Sequence, residues 1–332
     1  MGGDSVTEHG HGHDHEHEGH SGHRHTHSSG TDRAALISSR DGIRAVKWSL
    51  LALGLTAAVQ VAIVALSGSV ALLADTVHNF GDALTAVPLW IAFRLSRLKP
   101  NRRFTYGYGR AEDLAGTGVV LLIVASAAVA AYESVDRFFH PLQVRLLWAV
   151  MAAGVAGFIG NEAVALWRLH VGRRIGSAAL VADGHHARID GLTSLGVVAG
   201  AAGVWLGFPL ADPIVGVLIT LAILHIVYDA AAGVLSRMLD SVDPAITDQI
   251  RSAALDTPSV RDVAEVRVRW VGHFLHAEVN VAVEGDLTVA DAHAIAVAVQ
   301  SHLLEHLGFL RSATIHVDPL GESGEEHHDQ TQ

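Results

Sequence analysis

The chain has 332 residues, 50% of them hydrophobic and only 17% charged, with a net charge of −11 and a mean hydropathy of +0.32. Such a balance excludes a wholly soluble protein and predicts an integral membrane protein with a soluble end. With no cysteine and three methionines, disulfides and thiolate metal ligation are excluded and a copper(I) pathway is disfavoured.

Residues 1–40 are expected to form a disordered cytoplasmic tail. Nine histidines between His9 and His27 are interleaved with Gly, Ser, Asp and Glu, a composition that cannot bury a core and that suits loose collection of metal ions. The tract has no apolar stretch of the kind that marks a secretory signal, so insertion is expected to begin at the first spanning helix. The domain over 41–238 then carries six apolar segments, near 45–66, 70–95, 114–136, 145–168, 178–206 and 211–232. Each approaches the ~20 residues that carry a helix across a bilayer.

Basic residues gather between the second and third segments (Arg94, Arg97, Lys99, Arg102, Arg103, Arg110) and between the fourth and fifth (Arg168, Arg173, Arg174). The turns at Ser67-Gly68-Ser69 and Gly207-Phe208-Pro209 have none. The positive-inside rule therefore places both termini in the cytoplasm, with Arg137 and Arg145 on the outer side too few to reverse it. From 239 to 320 the pattern becomes that of a small soluble domain. Helices are predicted over 244–256 and 288–307, and strands over 262–271, 274–284 and 312–317, from their periods of 3.6 and 2. The order αββαβ suits a ferredoxin-like two-layer sandwich. A core this small favours association, so a homodimer is expected. Residues 321–332 read as a second disordered tail.

One spacing occurs twice inside the apolar segments, as Asp75-Thr-Val-His78-Asn-Phe-Gly-Asp82 and as Asp183-Gly-His-His186-Ala-Arg-Ile-Asp190. Offsets of three and seven residues put Asp, His and Asp on nearly one face of a helix. Four carboxylates at bilayer depth would cost on the order of 10 kcal/mol, and groups so costly usually face a bundle interior and serve transport. Imidazole nitrogen with carboxylate oxygen suits a divalent transition ion such as zinc.

Several motifs in the same order resemble the cation diffusion facilitator family of metal/proton antiporters, over about residues 40–320. They are Leu72-Leu73-Ala74-Asp75 leading into His78 and Asp82, Tyr106-Gly-Tyr-Gly-Arg-Ala-Glu112, Ala182-Asp183 leading into His186 and Asp190, and Ala211-Asp-Pro-Ile-Val-Gly216. The resemblance implies a transporter and not an enzyme: a six-helix membrane bundle with a cytoplasmic αββαβ domain, working as a homodimer. It assigns the transport site to His78, Asp82, His186 and Asp190, a set compatible with tetrahedral zinc, with cobalt, cadmium or nickel as further candidate ions. Asp75 and Asp183, one turn earlier, would orient the histidines or handle protons. His185 lies off the stripe and is a neighbour.

Further carry-over assigns a cytoplasmic metal site to His276, His293, His316 and Asp318, with Ala264 standing where relatives have another histidine. His273, at a predicted hairpin turn, could substitute for that histidine, although an exposed hairpin histidine is more often merely solvated. Arg110 and Asp240 match a charge pair that locks the spans to the soluble domain. Asn101, Phe104 and Tyr108 occupy the positions of a loop metal site in some relatives, so that site is expected to be absent. Neutral histidines and ionised carboxylates bind metal, so loading displaces protons and protonation expels metal. This predicts exchange of cytoplasmic metal for protons across the cell membrane, with protons, metal ions and lipid as partners and no nucleic acid. The alternatives are a membrane-tethered metal sensor or buffer and an uncoupled metal channel.

Overall fold

The structure, a computed structural model, describes residues 29–67, 86–139, 147–208, 210–308 and 310–321. In the membrane part α1 is Ser29–Ser67, α2 Ala86–Leu95, α3 Arg110–Phe139, α4 Leu147–Ile175, α5 Ala178–Trp205 and α6 Ala211–Met238. Among the described residues four helices are long and apolar enough to cross a membrane, over Ile37–Ile63, Arg110–Tyr132, Trp148–Ile175 and Ile214–Met238. α5 is as long, but Asp183, His185, His186, Arg188 and Asp190 interrupt its apolar character. α2 is the apolar end of the expected second span, and the rest of that span, with Asp75, His78 and Asp82, lies outside the described residues, as does the histidine tract.

Two helices differ from the sequence reading in where they begin or end. α1 begins at Ser29, so residues 29–40, expected in the tail, are helical. Its buried positions (Ser39, Gly42, Ile43, Ala45, Val46, Ser49, Leu53, Ala57, Gln60) fall along one stripe, with Ser39, Gly42, Val46, Ser49, Leu53, Ala57 and Gln60 recurring every three or four residues, the pattern of a packed helix. α4 runs on to Ile175, which turns the expected loop residues Arg168, Arg173 and Arg174 into helix residues and leaves only Gly176 and Ser177 before α5.

α4 packs most extensively against α5, which also lies on α6 and α3, while α1 lies on α4. Glycine permits the close approach: a Cβ at Gly184 would sit 2.9 Å from Leu169 Cγ, and one at Gly172 would sit 2.9 Å from Val181 Cγ2. The outward side chains are apolar, Leu51, Leu55, Leu121, Leu218 and Leu221 among them, whereas Gln60, Asn161, Arg168, Asp183 and His186 are buried. That distribution fits a surface solvated by lipid around a polar interior.

The soluble part comprises α7 (Pro244–Leu255), β1 (Asp262–Val271), β2 (Phe274–Val283), α8 (Val289–His306) and β3 (Leu310–Pro319). Asp243 caps α7 by accepting from the Ala245 N–H, and Thr288 caps α8 by accepting from that of Asp291, the arrangement that satisfies first-turn donors. The sheet has the order β1-β2-β3, with β1 antiparallel and β3 parallel to β2. Ile250, Val299 and Leu303 of the helices close over Leu275, Ala277, Val279, Val281 and Ala313 to form the core. β3 extends past the predicted 312–317 because β2 pairs with it as far as Val283 opposite Pro319.

Candidate metal centre

On α5 the buried face carries Asp183, His186 and Asp190, with 0%, 2% and 8% of their surface exposed. His186 Nδ1 lies 3.8 Å from Asp190 Oδ1. The other charges of this stretch are matched by α4: Arg168 Nη1 sits 3.0 Å from Asp183 Oδ2, both fully buried, and Arg188 forks onto Glu162 at 2.8 and 3.3 Å. The Asp190 carbonyl accepts from Thr193 Oγ1 and Ser194 Oγ. An imidazole and a carboxylate thus stand side by side in the buried interior, a suitable half of a four-ligand metal site. Asp183 has Arg168 as its ion-pair partner, which sequence reasoning had placed at a helix edge.

The cytoplasmic histidines are arranged differently from the expectation. Strand register sets Ser312 opposite His276 and Asn280 opposite His316. His276 is therefore four residues, about 13 Å, along the sheet from His316. His316 Nε2 meets Asp318 Oδ1 at 2.9 Å, and His293 is exposed on the first turns of α8. Among the described residues no three His, Asp or Glu side chains form a metal-binding group, so the expected His276, His293, His316 and Asp318 set is not assembled in one chain. Alternation marks the face a strand residue occupies but not its partner across the sheet, so the distance of His276 from His316 within one chain was not legible in the sequence. His276 instead takes a hydrogen bond to Ser312 Oγ at 2.7 Å, beside Tyr106. Burial, reinforced by Arg311, Arg269 and Arg110, pushes its pKa down to about 4.

The β1–β2 turn supplies the residues that sequence reasoning missed. His273 is 1% exposed, where a solvated hairpin histidine was expected. The turn inserts between helix ends: His273 Nδ1 is 2.7 Å from Glu112 Oε2 of α3, and its Nε2 is 3.1 Å from Ser38 Oγ and 3.3 Å from Ser39 Oγ of α1. Phe93 of α2 flanks the ring. Gly272 N–H donates to Asp113 at 3.3 Å, and Arg237 at the end of α6 donates to the Gly272 carbonyl while its guanidinium lies 4.0 Å over the Trp270 ring. Arg110 Nη2 and Asp240 Oδ1 meet at 2.8 Å. In the loop after α2, Asn101 bonds Tyr108 and closes a turn onto the Arg103 and Phe104 N–H groups.

Two family models match this chain in series: the cation efflux transmembrane domain over residues 46–239 and the cation efflux protein cytoplasmic domain over 242–320. The chain belongs to the cation efflux family. A probable cation efflux system protein of Mycobacterium tuberculosis (strain CDC 1551 / Oshkosh) is 56% identical over 284 residues, 86% of each chain. The zinc transporter ZitB of Escherichia coli (strain K12) is 29% identical over 256 residues, 76% of this chain and 80% of its own. A solved MamM C-terminal domain is 30% identical, covers 23% of this chain and 95% of that one, and superposes with a TM-score of 0.23. As a cation efflux protein the chain is an integral membrane transporter of divalent cations and not an enzyme.

Proposed function

We propose that this cation efflux protein exports zinc from the cytoplasm in exchange for protons, as a homodimer in the cell membrane with both termini inside. The observation that carries the reading is the buried His186–Asp190 pair on α5, which with His78 and Asp82 would complete a two-nitrogen, two-oxygen site. Each ligand is also a proton acceptor. Zinc binds when the imidazoles are neutral and the carboxylates ionised, so a proton arriving from outside competes for the same atoms and releases the ion. Ion and protons compete for the same atoms, so exchange requires them to occupy the site in turn, through inward- and outward-facing states. Zinc, and not a harder ion, is favoured by the paired imidazoles and by the likeness to ZitB. Asp183, held by Arg168, would set the orientation of the first turns of α5 and so of His186.

Of the cytoplasmic ligand candidates only His316 and Asp318 approach each other. A regulatory ion there requires donors from elsewhere, and a second copy of the chain in the dimer is the natural source. The transport reading is tested in liposomes with an imposed pH gradient. Zinc should accumulate on the acidic side and stop when a protonophore collapses the gradient, whereas zinc movement indifferent to the protonophore would rule out exchange.

A further inference from the structure

The soluble domain reaches the start of the helix that bears the transport ligands through Arg237, which donates to the carbonyls of both Gly272 and Gly176, and through the carboxylate of Glu112. Glu112 is 1% exposed, and its two oxygens point in opposite directions. Oε2 accepts from His273 Nδ1 at the tip of the β1–β2 turn, while Oε1 accepts a short hydrogen bond from Ser177 Oγ. An ionised carboxylate can only accept, so His273 Nδ1 donates to it and Nε2 faces the Ser38 and Ser39 hydroxyls. Ser177 precedes α5 and caps it, its Oγ accepting from the Leu180 N–H at 3.1 Å. One turn along α3 from Glu112, a Cβ at Gly116 would lie 3.0 Å from Ala179 Cβ, so the two helices touch beside the carboxylate. Nine residues of α5 separate Ser177 from His186, about 13 Å of a rigid helix.

We propose that Glu112, gripped by His273, is a positioning residue for transport: it fixes the first turn of α5 and thereby the direction in which His186 and Asp190 face. This rests on the reading of those two residues as transport ligands. A tilt of α5 between states has to move Ser177 relative to Glu112 or carry the hairpin with it, so the relay couples the soluble domain to the site by contact. None of its members touches the metal. Loss of the relay should slow the conformational step and leave the ligand set, and hence half-saturation, nearly unchanged.

The test is zinc flux by the full-length protein in liposomes, with maximal rate and half-saturating zinc measured separately. His273→Ala and Ser177→Ala should each lower the maximal rate about fivefold with half-saturation moved less than about twofold, and the double variant should be no slower than the worse single, because both act through one carboxylate. Glu112→Gln, whose amide can accept from Ser177 and donate to a re-tautomerised His273, should stay within about twofold of wild type while Glu112→Ala does not. Losses that multiply in the double variant, wild-type rates in either single, or equal damage from Gln and Ala would each overturn the relay. Should His273→Ala not fold, His273→Gln replaces it in the same cycle with the same outcomes. A His186→Ala control separates the two claims: activity there would refute the ligand assignment, and inactivity with a multiplicative cycle would refute only the relay.

Discussion

His276 shows how position in the fold sets the chemistry of a histidine. Its pKa falls from 6.5 to about 4 because burial and the cations Arg311, Arg269 and Arg110 oppose a charged ring. Between those values the unfolded chain binds a proton that the folded chain refuses, so the stability linked to His276 is complete above pH 6.5 and is lost as pH falls toward 4. The apparent melting temperature of the purified protein should therefore drop across that window less steeply in His276→Gln than in wild type. Parallel curves would show that the ring titrates normally. His316 Nε2 is paired with Asp318 Oδ1 at 2.9 Å, so Asp318→Ala should weaken zinc binding by the soluble domain while His276→Gln leaves it unchanged. Calorimetric titration of the two full-length variants, on a background with the transport site removed by Asp190→Ala, distinguishes them.

Among the elements, the α4–α5 pair decides how the site is built. Arg168 and Asp183 are 1% and 0% exposed and 3.0 Å apart, so Arg168→Met would strand a buried carboxylate at a cost of about 3–5 kcal/mol, and Arg168→Met combined with Asp183→Leu should recover much of it. Thermal unfolding of the single and double variants checks this, and equal destabilisation of both would contradict it. The sequence carried much of this architecture. The Asp-His-Asp spacing put three residues on the buried face of α5, and in the soluble domain alternation found the strands because one sheet face is buried under α7 and α8. What it could not carry was contact between distant segments. His273 is buried by Glu112, 161 positions away, and by Ser39, 234 away, and no local pattern around a Gly-His turn encodes such partners. Arg168 was read as a loop cation because Arg168, Arg173 and Arg174 look like a basic loop in sequence, whereas α4 runs on to Ile175 packed against α5.

At the scale of the whole molecule the soluble domain is docked through the glycine turn more than through the exposed Arg110–Asp240 pair. Arg110 and Asp240 are 43% and 46% exposed, so their pair contributes about 0–1 kcal/mol and Arg110→Ala should leave docking intact. Gly272 has φ +64 and a Cβ there would come within 2.8 Å of the Gly109 carbonyl oxygen, so Gly272→Val should expel the turn and expose residues 239–243 to protease, an outcome readable on a gel beside Arg110→Ala. Removal of residues 1–28, which precede α1, should preserve the maximal rate and matter only when free zinc is scarce. Metal exchange through α5 is the claim on which the rest depends, and the most direct measurement is simultaneous zinc and proton flux in liposomes by wild type and by a folded Asp190→Ala variant. Zinc efflux with opposite proton flow in the wild type, both lost in Asp190→Ala, is the predicted result; undiminished zinc flux in Asp190→Ala would contradict it.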